Sequence, residues 1–232
     1  MKLPSYRELS KMIDHSLLKP TMAREELEAG CRVAIEYEVA SVCILPYYLK
    51  RASEILHGSG VLPSTTIGFP HGGHSSRVKQ LEAEQALSDG ARELDMVVNI
   101  SQVLSGDWDA VRTDILAVLQ VTHARGQKLK VIFENCYLSE AQKIRLCEIC
   151  GELAVDWVKT STGFGSSGAT IEDLVLMRKH SPAHVQVKAA GGIQTLEMLL
   201  KVRETGATRS GCSKTAEVLS ELRSRLALGA QA

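Results

Sequence analysis

The sequence predicts an α/β protein of the (β/α)8 TIM-barrel type, built as a single domain over residues 1–232. Three observations carry that prediction. Strand-like apolar runs and helix patterns alternate eight times, at a spacing of about 25 to 30 residues, as repeated β/α units require. Gly90, Gly126 and Gly206 fall where helices should stop before the next strand. An open doubly wound sheet uses the same local units but wants a glycine fingerprint after its first strand. Leu17-Leu-Lys-Pro-Thr21 is not one.

The first run is Ile13-Asp-His-Ser-Leu-Leu18, closed by Pro20. Ser41 to Leu45 is the second, closed by Pro46, and Ser64 to Phe69 the third, closed by Pro70. Proline ends a ladder because it has no N–H to donate. Glu93 to Val98 and Lys130 to Phe133 are the fourth and fifth. Lys128 and Lys130 stand at the start of the fifth, on the face away from the strand ends, and read as solvated. The sixth and seventh runs carry Lys159 and Lys188, and Thr208 to Ser213 is a weaker eighth. Between them, Val111, Ile115, Val118, Leu119 and Thr122 share one helical face, as do Leu146, Ile149, Cys150 and Leu153. Ser139 with Gln142, and Thr170 with Asp173, have the spacing of helix N-caps. The last residues, Leu226 to Ala232, have no clear role and read as a frayed end.

Composition narrows the function classes. The chain is 44% hydrophobic and 23% charged with formal net charge zero, ordinary for a soluble globular protein. Zero net charge argues against nucleic acid or a membrane surface as a partner, since both call for a basic bias. Met1 to Arg7 has no apolar run of signal-peptide length, and no later stretch approaches about 18 apolar residues. The six cysteines are scattered without the density of a disulfide scaffold, which fits a reducing, cytoplasmic setting.

In a barrel the C-terminal strand ends carry the site. Asp14, Cys43, Asp95, Glu134, Lys159 and Lys188 would gather there. A lysine on a buried strand costs several kcal/mol unless it is paired or neutral. Two amines about 4 Å apart repel by ~4 kcal/mol at an effective dielectric of about 20, or roughly three pKa units as an upper bound. That is enough to leave one of them a nucleophile able to form a Schiff base, with Asp95 keeping the other charged and passing protons. The residues leave open which lysine is neutral. The closer glycine loop after Lys188 favours it as the permanent cation. Gly191-Gly192 opens a helix at Thr195, and Gly211-Cys-Ser213 precedes another, so both loops are placed to hold a phosphate at helix N-termini.

At these positions the chain resembles the deoxyribose-phosphate aldolases. The resemblance rests on Ile13 to Pro20, Ser41 to Pro46, Gly68-Phe-Pro-His-Gly72, Glu93 to Asn99, Lys130 to Glu134, Val158-Lys-Thr-Ser-Thr-Gly-Phe164 and Val187-Lys-Ala-Ala-Gly-Gly192. Each motif is weak alone; seven in order are specific. It implies a class I aldolase that reversibly cleaves 2-deoxy-D-ribose 5-phosphate to acetaldehyde and D-glyceraldehyde 3-phosphate, without metal or other cofactor. Lys159 would form the imine, with Lys188 and Asp95 as the proton-transfer pair. Asp14, Cys43 and Glu134 would form the polar wall, and Gly163, Gly191, Gly192, Gly211 and Ser213 would bind substrate. A homo-oligomer, dimer or larger, is also implied. Two positions depart from the family pattern. Gln194 stands where a basic residue is usual, and Lys214 where a second serine follows Ser213, so Lys214 is expected to replace the missing cation.

Blander readings compete at several positions. Cys147-x-x-Cys150 has a redox or zinc spacing but falls mid-helix with no second ligand pair, so it reads as core. His71 and His74 could hold a metal, yet loop histidines after a proline are more often solvated. Asp95 could be a structural partner of Arg92 or Lys188, and Cys43 could be barrel filling. Two rivals remain for the whole chain: a Schiff-base aldolase for another phosphorylated sugar, and a non-catalytic phosphosugar-binding barrel.

Overall fold

Short β-rich runs, each followed by a helical segment, fold here into eight β/α units. The computed structural model describes residues 3–229. Its strands are β1 (Ile13–Leu17), β2 (Ser41–Ile44), β3 (Leu62–Ile67), β4 (Glu93–Val97), β5 (Lys128–Ile132), β6 (Trp157–Lys159), β7 (Gln186–Ala189) and β8 (Arg209–Cys212). All are parallel, they pair in chain order, and β8 returns to β1 to close the barrel. The helices are α1 (Tyr6–Ser10), α2 (Arg24–Glu36), α3 (Leu49–Leu56), α4 (Ser76–Ser88), α5 (Ile100–Ser105), α6 (Trp108–Ala124), α7 (Glu140–Glu152), α8 (Ile171–His180), α9 (Leu196–Glu204) and α10 (Thr215–Gly229). Among the described residues only α1 precedes the barrel; the connection after β4 carries two helices.

The start signals operate as expected. Ser139 Oγ accepts from the Gln142 N–H, and the Gln142 side chain accepts from the Ser139 N–H at 2.9 Å. Thr170 Oγ1 caps α8 by accepting from the Asp173 N–H. Gly90, Gly126 and Gly206 sit just past α4, α6 and α9 in the left-handed backbone region that lets a helix stop. At the C-terminal end, Leu226 to Gly229 continue α10 rather than fraying, and residues 230–232 lie outside the described residues.

Strand alternation divides the barrel into two chemically different layers. Leu94 and Met96 of β4, Leu129 and Val131 of β5, Val158 of β6 and Val187 and Ala189 of β7 belong to the apolar core beneath the helices. Their neighbours along each strand point the other way, into the barrel. Those inward residues include Asp14, Glu93, Asp95, Lys130, Lys159, Lys188 and Arg209, all buried. The apolar core is therefore the annulus between sheet and helices, and the buried charges lie inside the barrel.

Lys130 corrects the reading of β5. The strand starts at Lys128, two residues earlier than expected, so Lys130 is its third residue and faces inward. Lys128 stays exposed and pairs with Asp156, whereas Lys130 is fully buried among carboxylates. A second buried pair lies outside the barrel, where α4 packs on α6. Lys79 Nζ sits 2.5 Å from Asp114 Oδ2 and donates to the Val97 carbonyl at 2.8 Å.

Candidate active site

Register brings the two lysines together. Lys159 of β6 lies directly opposite Lys188 of β7, and both amines donate to Asp95 Oδ2 at 2.7 Å. Lys188 Nζ also lies 2.5 Å from Asp14 Oδ2. Beneath them, Lys130 Nζ is 2.8 Å from Asp95 Oδ1, 2.5 Å from Glu93 Oε2 and 3.5 Å from Asp14 Oδ2. Arg209 bridges the carboxylates of Asp14 and Glu93 and lies over the Trp157 ring at 5.2 Å. Asp95 thus serves three amines at once, and its link to Lys188 is part of a cluster rather than a lone structural pair.

Their surroundings shift the amines in opposite directions. Burial lowers the pKa of Lys159 and the nearby Lys188 lowers it further; the single carboxylate of Asp95 only partly offsets them. Burial also works against charge on Lys188, but Asp14 and Asp95 together outweigh it and raise its pKa. Lys130 is likewise raised by Asp95, Glu93 and Asp14 despite complete burial. Asp95 and Asp14 stay ionised because their basic neighbours overcome desolvation. Desolvation keeps the Cys43 thiol protonated beside the cluster.

Above the cluster opens a cavity of about 580 Å³, within the ordinary range for a small-molecule site. Of the seven buried charged residues in the barrel, Lys159 alone lies on its wall. Gly163, Gly191, Gly192, Gly211 and Ser213 line it too, so these sequence-predicted residues converge with the lysine. Gly191 has φ +81°, and a Cβ there would come within 2.8 Å of the Gly168 backbone, so the loop can take this path only without a side chain. The loop after β7 leads into the N-terminus of α9, capped by Thr195, and Ser213 stands just before α10.

Asp14, Asp95, Lys188, Cys43 and Glu134 lie behind the wall rather than on it. Glu134 occupies the left-handed region at φ +58°, which costs a non-glycine residue about 1–3 kcal/mol. Its carboxylate accepts from the Thr162 N–H at 3.2 Å and from the Thr162 hydroxyl, tying down the loop that follows Lys159. Glu134 is in this respect a brace for the β6 loop.

The phosphate end departs from expectation. Lys214 is exposed, its Nζ lies 3.0 Å from Glu217, and it is not on the cavity wall. Besides Lys159, the lysine on the cavity wall that Gln194 shares is Lys19, from the loop after β1. Sequence reasoning also passed over Glu93 and Arg209. The alternation Glu93-Leu94-Asp95, which puts two carboxylates on one strand face, was the available signal. His71 and His74 are exposed on their loop, and Cys147 and Cys150 are buried in α7, with the Cys147 thiol pushed up to about 11 by burial. Among the described residues no helix is long and apolar enough to cross a membrane.

The sequence profile of the DeoC/LacD family aldolases matches residues 9–214. The chain belongs to this family. Within it, the deoxyribose-phosphate aldolase of Rhodopirellula baltica is 64% identical over 97% of this chain and 93% of its own length. That of Thermococcus gammatolerans is 46% identical over 93% of this chain and 97% of its own. The tetrameric deoxyribose phosphate aldolase of Aeropyrum pernix superposes with a TM-score of 0.89 at 28% identity, covering 96% of this chain and 94% of that one. This DeoC/LacD family member is accordingly an aldolase, a carbon–carbon lyase on a TIM barrel.

Proposed function

We infer that this aldolase reversibly cleaves 2-deoxy-D-ribose 5-phosphate to acetaldehyde and D-glyceraldehyde 3-phosphate through an imine on Lys159. One observation carries the assignment to Lys159: of the cluster's amines it alone reaches the cavity, and it is the one among them whose pKa is lowered. The names of the R. baltica and T. gammatolerans relatives support the choice of substrate.

The neutral Lys159 amine adds to the C1 aldehyde, and the carbinolamine loses water to give a protonated imine. The C3 hydroxyl gives up its proton, the C2–C3 bond breaks, and its electron pair passes to the imine nitrogen. That cut leaves two carbons on the enzyme as an enamine and releases three with the phosphate. Protonation at C2 restores an imine, which water hydrolyses to acetaldehyde and free Lys159. Asp95, which accepts from both Lys159 and Lys188, would with Lys188 exchange these protons. Gly191, Gly192, Gly211 and Ser213, at the entrances to α9 and α10, would hold the phosphate, with Lys19 supplying the charge.

Borohydride reduction in the presence of acetaldehyde tests the reading by leaving an N-ethyl group on Lys159, read by peptide mass spectrometry. An unmodified Lys159 would sink the imine assignment. Because the amine must be neutral to attack, kcat/KM should rise with pH as Lys159 loses its proton. The lowered pKa places that rise below the ordinary lysine range. At the phosphate end, Lys19→Ala is expected to raise KM for the phosphorylated sugar about tenfold, the size of a lost charge-assisted hydrogen bond. Lys214→Ala should leave KM near wild type.

The tetramer of the A. pernix relative supports a homo-oligomer here as well, checked by light scattering of the eluted protein. The six cysteines, all present as free thiols, suit residence in the cytoplasm.

A further inference from the structure

We propose that the buried cluster keeps Lys159 deprotonated by carrying one more basic than acidic side chain, and that Arg209 and Glu93 are positioning residues that set this excess without touching substrate. The inference rests on Lys159 being the imine-forming amine. It concerns what lies beneath that amine, at the far end of the barrel from the cavity.

The count follows from the strands. β1 contributes Asp14, β4 contributes Glu93 and Asp95, and β5 contributes Lys130. Lys159, Lys188 and Arg209 come from β6, β7 and β8. Four bases therefore face three carboxylates, all buried and linked by contacts between 2.5 and 3.5 Å or shorter. β2 adds the Ser41 hydroxyl and the Cys43 thiol, held protonated by burial, and β3 adds hydroxyls at Ser64 and Thr66. His15, on β1, faces Thr215 and is neutral near pH 7, its pKa lowered by burial to about 4. Glu134, beyond β5, is engaged by Thr162 and makes no ion pair with the cluster amines.

An uncompensated charge in such a place is costly, so the cluster is most stable after shedding one proton. Arg209 cannot supply it, since a guanidinium does not deprotonate in a protein. Lys130 lies against three carboxylates and Lys188 against two. Lys159 has Asp95 alone, shared with both other amines. It is also the member that meets the cavity, where water can take the proton. Arg209 is thus the fixed cation that makes the set odd, and Glu93 is the carboxylate that ties Arg209 and Lys130 into it.

The test uses charge arithmetic. The pH dependence of N-ethylation of Lys159 by acetaldehyde and cyanoborohydride would be measured alongside that of kcat/KM. Arg209→Met leaves three bases against three acids, so the acid limb should move up by about one pH unit or more. Glu93→Gln leaves four against two and should move it down. The double variant has three against two, and its limb should return close to wild type. Arg209→Lys, which keeps the charge, should leave the limb in place and guards against misreading a folding defect. A structural role alone would lower rates without this change of sign. Singles that shift the limb in the same direction, or a double that lies further from wild type than either single, would overturn the proposal. Normal wild-type ethylation with unmoved limbs in the variants would overturn it while leaving the imine assignment intact. Absence of wild-type ethylation at every pH would overturn both.

Discussion

Lys159→Met is expected to lower kcat for cleavage of 2-deoxy-D-ribose 5-phosphate by about 10⁴-fold or more, the order of loss when a covalent nucleophile is removed. The same change should leave the melting temperature unchanged or higher. Methionine has nearly the same length, needs no partner, and removes the one amine whose charge the buried cluster does not balance. The two readouts belong together. A collapse of activity with an intact melt isolates chemistry from folding, whereas a variant that also melts early would place Lys159 among the residues that hold the barrel. Steady-state kinetics in both directions and a circular-dichroism melt check the pair.

Asp114→Ala is expected to have the opposite profile, with a large loss of stability and little direct effect on chemistry. Asp114 is the carboxylate partner of Lys79, and both side chains are buried between α4 and α6. Removing one partner leaves an ammonium in an apolar contact, which costs about 3–5 kcal/mol. For a domain of this size that corresponds to roughly 6–20 °C in Tm. Lys79 would retain its bond to the Val97 carbonyl, at the end of β4. The double change Lys79→Met/Asp114→Leu should recover much of the loss, because a well-packed apolar pair removes the desolvation problem altogether. A single variant that melts like wild type would show that the ammonium simply sheds its proton, a route that its lowered pKa makes available.

Much of this was legible from residue order. Barrel architecture follows from repeated local units, and strand periodicity puts Asp95, Lys159 and Lys188 on inward faces once their runs are recognised. What escaped did so for geometric reasons. Lys130 was assigned to the strand's outer end because Val131 to Phe133 reads as the apolar core of β5, while the ladder begins at Lys128. A strand boundary moved by two residues changes how deep a side chain lies. Glu93 and Arg209 stand 116 positions apart and meet only across the closed barrel. Neither has a local signal that names the other. Lys19 escaped in a related way. Nearness in sequence to Ser213 favoured Lys214, but β1 pairs with β8, and that closure brings the loop after β1 to the same cavity.

The layered barrel has a consequence for how this enzyme can diverge. Its apolar annulus is built from one set of alternate strand residues, such as Leu94, Met96, Val131 and Val187, while Glu93, Asp95, Lys130 and Lys188 occupy the other. Along each strand, residues that hold the sheet to its helices and residues that run the chemistry are different letters of the same short word. Selection can therefore rewrite the inner letters, two or three at a time with charge conserved, without repacking what lies outside. Compensated exchanges across neighbouring strands keep that balance, whereas a single inward change away from Lys159 leaves a buried charge without its partner.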